Sequence, residues 1–118
     1  MIVEKSFAAR HQITLPDGGK EPLHSHNWKV AAAVSAKKLD ARGLAFDFVR
    51  LGDLLEQVLA PMRNSRLETM DCFRQVNASA ENVARHIYDK LSAMLPGPAA
   101  LSWVEVAEAP GCKVRYCP

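Results

Sequence analysis

Alternating apolar and polar positions open the chain. In residues 2–14 (IVEKSFAARHQIT), Phe7, Ala9, His11 and Ile13 share one parity, while Ala8, Arg10 and Gln12 share the other. A period of two predicts a half-buried strand with His11 on its more apolar face. Residues 15–22 (LPDGGKEP) read as a loop from their Pro, Asp and Gly content. Alternation resumes in residues 27–37 (NWKVAAAVSAK), where Trp28, Val30, Ala32 and Val34 share a parity with His24 and His26. Together the two segments predict a long hairpin with histidines near the same end of both strands.

At Asp47 the period changes. Leu51, Leu54, Leu55, Val58, Leu59 and Met62 recur at helical spacing behind the Asp47 carboxylate, a natural N-cap, and Pro61 falls near the helix end. Residues 63–78 are polar and irregular and predict a loop. A second helix is expected from about Ser79, with Val83, Ile87, Leu91 and Met94 or Leu95 as its apolar stripe and PGP (96–98) as its stop. ALSWVEVAEA (100–109) predicts a third strand, PG a turn, and CKVRYC (112–117) a short fourth strand. The order is β-β-α-α-β-β. It predicts an α+β fold in one domain spanning 1–118: a four-stranded antiparallel sheet with two helices on one face. Such a sheet has two open edges, so edge pairing between subunits is expected.

Composition narrows the function. The chain is 48% apolar and 24% charged with a net charge of +2, and no basic run exceeds two residues. Neither nucleic acid nor a membrane surface is an expected partner. No stretch has the length of a membrane span or the apolar core of a signal peptide, so a cytoplasmic protein is expected. The three cysteines, Cys72, Cys112 and Cys117, form no Cys-x-x-Cys pair. They are expected as reduced thiols without a chemical role.

Histidine is therefore the candidate chemistry. His24 and His26 project from the same face of one strand, and His11 stands at matching parity on its neighbour. The spacing H-x12-H-x-H suits three imidazole ligands to a zinc ion, with a fourth position open to water or substrate. The bland alternative is a pair of surface histidines. His86, in the middle of the second helix, reads as a helix-face residue.

The motifs FAARH, LHSHN, GLAFDF, NASAEN and VEVAEAPGC, in that order, resemble the 6-pyruvoyl-tetrahydropterin synthases. They equally resemble the 6-carboxytetrahydropterin synthases of queuosine biosynthesis. The resemblance covers nearly the whole chain and implies the tunnelling fold. It also implies zinc on His11, His24 and His26, acting as a Lewis acid on the side chain of dihydroneopterin triphosphate. Glu108 would anchor the pterin ring, its carboxylate matching the ring's paired N–H donors. Ser79 and Glu81 would belong to the same pocket, although Glu81 also suits simple helix-dipole chemistry. Homo-oligomers built from trimers are implied, with active sites at subunit interfaces.

Three departures fall on the chemistry. The family's His-Gly-His is His24-Ser25-His26. Its catalytic cysteine, four residues before the first histidine of that pair, is Lys20. Glu21 sits three residues before His24, and Glu-x-x-His resembles a subgroup in which glutamate replaces the cysteine and 6-hydroxymethyl-dihydropterin is released. Glu21 is thus the candidate base, with a solvated loop carboxylate as the alternative. The family's Asp-His pair after the first helix is matched by Arg63 and Asn64, neither of which relays a proton near neutral pH. Two functions follow: a zinc-dependent pterin lyase, or a paralogue that keeps zinc and pterin but has lost catalysis.

Overall fold

The computed structural model describes residues 1–118. Strands β1 (Ile2–His11), β2 (His24–Ser35), β3 (Ala100–Ala109) and β4 (Cys112–Tyr116) form one antiparallel sheet in the order β1-β2-β3-β4. Helices α1 (Phe48–Leu59) and α2 (Ala80–Met94) lie between β2 and β3 in sequence. Both pack on the same face of the sheet through one core. The expected order and architecture are those observed.

Alternation sets which face is covered. In β1, Phe7, Ala9 and His11 are buried while Ser6, Ala8 and Arg10 are exposed. The β1–β2 register runs from Ile2 opposite Ala33 to His11 opposite His24, so the hairpin delivers its histidines to one end. Trp28 fills the sheet's centre, fully buried, stacked on Phe7 at 5.9 Å between ring centroids. Its indole N–H donates to the Ala9 carbonyl at 3.3 Å. Trp28→Ala is expected to cost about 3–5 kcal/mol, read as a lowered urea midpoint at unchanged slope, because the cavity lies where the sheet cannot collapse.

The helices begin as their caps dictate. Asp47 Oδ1 accepts the N–H groups of Val49 at 2.8 Å and Arg50 at 3.2 Å, and Leu51, Leu55, Val58 and Leu59 are buried beneath α1. Ser79 Oγ accepts from Asn82 N–H at 3.2 Å to open α2. Between them, residues 63–78 hold two single 3-10 turns, Leu67–Thr69 and Asp71–Phe73, which bury Leu67 and Phe73. The loop expectation is corrected there: the stretch is ordered and contributes to the core.

Both sheet edges are open over part of their length. Along β1 the open portion is the N-terminal half, because Asn64 N–H donates to the Ala8 carbonyl at 2.6 Å and Arg10 N–H to the Ser65 carbonyl at 2.9 Å. The radius of gyration is 15.3 Å, and the long axis reaches 55 Å. A compact chain of this length has a radius near 13–14 Å, so the hairpin makes the protomer elongated. No helix is long and apolar enough to cross a membrane.

Candidate metal centre

His11, His24 and His26 converge with Glu108 at the end of the hairpin, one ligand atom from each lying within 4.8 Å of every other. Bonds of about 2 Å to a shared ion bring donors into that range. Strand alternation explains the convergence: all three histidines continue the buried parity of Phe7, Trp28 and Val30. Ser25 lies between His24 and His26 on the exposed parity of β2. Its side chain therefore faces away from the cluster, and serine in place of glycine leaves the donor set intact.

Two backbone carbonyls set the tautomers. His11 Nδ1–H donates to the Ala78 carbonyl at 2.8 Å, and His24 Nδ1–H donates to the Pro22 carbonyl at 2.8 Å. A neutral imidazole has one N–H, so each Nε2 presents a lone pair. These two nitrogens stand 2.8 Å apart. Lone pairs that close repel unless a cation lies between them. His26 Nε2 is buried without a hydrogen-bond partner, although Glu108 Oε1 is 3.2 Å away. Burial holds the His26 imidazole below the usual histidine range; His24 and His11 add to this, and Glu108 and Glu21 oppose it. Neutral imidazole is the ligating form. The donor set fits a metal ion held by the three Nε2 atoms.

Carboxylates flank the nitrogens on two sides. Glu108 Oε1, half-buried at the end of β3, is also 3.4 Å from His11 Nε2. Glu21 Oε1 lies 3.7 Å from His24 Nε2 and accepts the Ile13 N–H at 3.2 Å. The Glu21 N–H in turn donates to the Ile13 carbonyl at 3.0 Å, which pins the loop to the strand. The structure thus brings Glu21, Glu108 and the three histidines together.

Ser79 and Glu81 stand outside this group. The Ser79 hydroxyl caps α2, and Glu81 is exposed in the helix's first turn. Ser79 adjoins the cluster through its neighbour Ala78, whose carbonyl orients His11. Ser79→Ala is expected to lower stability by about 1 kcal/mol through the lost cap, with bound metal unchanged. Calorimetry beside metal analysis separates the two effects.

Lys20 is exposed. Arg63 is committed elsewhere: its guanidinium forks onto Glu56 at 2.8 and 2.6 Å and donates to the Ser6 carbonyl at 2.8 Å. The hydrogen bonds from Arg63 hold the Glu56 carboxyl below the usual range. Asn64 takes a left-handed backbone, φ 56°, in the turn that follows. Both residues serve the α1–β1 junction. Sequence patterning missed the Ala78 and Pro22 carbonyls, for which no residue type gives a signal. It also missed the contact of Glu108 with the histidines, which the parity of Val104 and Val106 on β3 could have revealed.

The 6-pyruvoyl tetrahydropterin synthase family model matches residues 1–118. A putative 6-pyruvoyl tetrahydrobiopterin synthase of Caenorhabditis elegans is 24% identical over 108 residues, 91% of this chain and 77% of that protein. The human 6-pyruvoyl tetrahydrobiopterin synthase is 33% identical over 76 residues, 62% of this chain and 52% of that one. The match thus spans about half of the human protein's length. Among solved structures, the C. elegans 6-pyruvoyl tetrahydropterin synthase superposes with a TM-score of 0.90 at 21% identity, covering 100% of this chain and 94% of that one. A Plasmodium vivax 6-pyruvoyltetrahydropterin synthase, a catalytic-residue variant with a glutamate replaced by alanine, gives 0.75 at 18% identity over 98% and 94%. With the family model matching every residue and the β-β-α-α-β-β sheet shared with these structures, the chain belongs to the 6-pyruvoyl tetrahydropterin synthase family.

Proposed function

We propose that the chain is a zinc-dependent cytoplasmic enzyme acting on the side chain of dihydroneopterin triphosphate or a closely related pterin. The supporting observation is the 2.8 Å approach of two Nε2 atoms whose protons are both spent on carbonyls at Nδ1. In this reading His11, His24 and His26 hold the ion. Bound zinc supplies Lewis acidity toward the side-chain oxygens, which eases removal of a neighbouring proton.

The chain's own residues do the rest. Glu108 anchors the pterin ring beside the histidines by accepting its paired N–H donors. Ser79 and Glu81, outside the histidine–carboxylate group at the start of α2, would contribute to the pterin's surroundings rather than to the ion's. Glu21 is the base. Its carboxylate is next to His24 and is fixed by the Ile13 N–H, so it meets the substrate in one orientation. The catalytic glutamate of the P. vivax protein supports a carboxylate in this role. Two outcomes suit one base and one electrophile: loss of triphosphate, or carbon–carbon cleavage releasing 6-hydroxymethyl-dihydropterin. The elongated protomer with open sheet edges assembles as a homo-oligomer built from trimers, with its sites at subunit interfaces.

One observation favours a second reading. Arg63, where the family carries a proton-relaying aspartate, is tied into a structural ion pair with Glu56. A paralogue that keeps zinc and pterin without turnover would have lost that relay. Anaerobic incubation of zinc-loaded protein with dihydroneopterin triphosphate, read by mass spectrometry, decides between them. A zinc-dependent product establishes the lyase, and its mass names the reaction. Pterin retained unchanged establishes the paralogue; no retention sinks both.

A further inference from the structure

Away from the histidine cluster, a cleft of about 380 Å³ opens between the two helices and the 3-10 turns that join them. Cys72 Sγ lies 3.9 Å from His86 Nε2 in this cleft, and Met70 and Met94 line it as well. The sequence pattern gave none of these four residues a chemical role. His86, Lys90 and Met94 follow one another at intervals of four on α2, so they form one stripe facing the cleft. The Phe73 ring meets the His86 ring edge-on at 5.6 Å and fixes its orientation.

We propose that Met70, Cys72, His86 and Met94 form a second metal site, specific for a soft monovalent cation, Cu(I). Each donor has a reason. Thiolate and thioether sulfur select Cu(I), and imidazole completes a three- or four-coordinate set. A separation of 3.9 Å between thiol and imidazole is what two bonds of about 2.0 and 2.3 Å to one ion span at an open angle.

The surrounding charges favour a monovalent ion. Lys90 lines the cleft, and its ammonium repels a divalent cation twice as strongly as a monovalent one. The one carboxylate lining the cleft, Asp71, pairs with Arg74 at 2.8 Å. A single surface carboxylate falls short of the several oxygen donors that magnesium or calcium would need. Burial holds His86 below the usual histidine range, with Lys90 adding to it and Asp89 opposing. Burial lifts the Cys72 thiol, with Asp71 adding and Lys90 opposing. On binding, the thiol releases one proton to solvent and the thiolate is neutralised by the ion.

The site is tested anaerobically by Cu(I) competition against a chromophoric chelator. The protein is zinc-loaded and carries Cys112→Ser and Cys117→Ser, since all three thiols are exposed and these two would compete with Cys72 for the ion. The expected result is about one Cu(I) retained per chain, with sulfur and a single nitrogen in its X-ray absorption shell. Adding Cys72→Ser should weaken retention by more than the roughly 10–100-fold that outer partners of metal sites carry. Adding Met70→Leu with Met94→Leu should weaken it about 10-fold at unchanged zinc content, which also reports folding. No retained Cu(I), or retention unchanged in either variant, overturns the proposal.

Discussion

Zinc in the purified His24→Ala protein is expected to fall from about one ion per chain to a small fraction of that, with turnover falling in parallel. The geometry makes this loss steeper than removal of one ligand among several. His24 and His11 face each other through Nε2 lone pairs at 2.8 Å, so deleting His24 removes the repulsion that the ion relieves as well as a bond to it. The fold should survive, since His24 is only half-buried at the loop end of the hairpin. His11→Ala should lose the metal equally but also destabilise the protein. That side chain is 1% exposed, and the Ala78 carbonyl would be left without its donor, which costs about 1–3 kcal/mol. Metal analysis and thermal melts on the two variants separate ligation from packing. Full zinc occupancy in His24→Ala would remove the three-histidine site.

Why so much of this was legible lies in the strands. A period of two fixes both the core and the face on which a histidine points, so His11, His24 and His26 could be grouped before any contact was known. Asp47 and Ser79 likewise announced the helix starts, because a capping oxygen must precede the first turn. The failures come from 63–78, where no element is longer than a single turn. A 3-10 turn of three residues is too short to express a period, so the burial of Leu67 and Phe73 had no pattern to betray it. The same stretch carries Met70 and Cys72, and the approach of Cys72 to His86 depends on how the turns lie against α2. Arg63 shows a different limit. The residue type shows only that it relays no proton near neutral pH, whereas its ion pair required the position of Glu56, seven residues earlier in α1.

Glu21→Gln is the sharper test of catalysis. The side chains are isosteric, and a glutamine oxygen still accepts the Ile13 N–H that Glu21 Oε1 now accepts at 3.2 Å. The backbone pair between Glu21 and Ile13 is untouched. Loop geometry, zinc content and melting temperature should therefore match those of the parent. What is lost is the ability to take a proton, and a positioned base contributes about 10²–10⁴-fold to turnover. The expected result is a fall of that size in kcat with KM little changed. Glu21→Asp keeps the carboxylate but draws it back by one methylene, and a displacement near 1 Å costs about 10²-fold when reacting groups must align. Intermediate activity in Glu21→Asp, beside near-silence in Glu21→Gln, would mark a base rather than a loop tether. Unchanged turnover in both would leave Glu21 as the clasp between the loop and β1, and would move the proton's destination to another group.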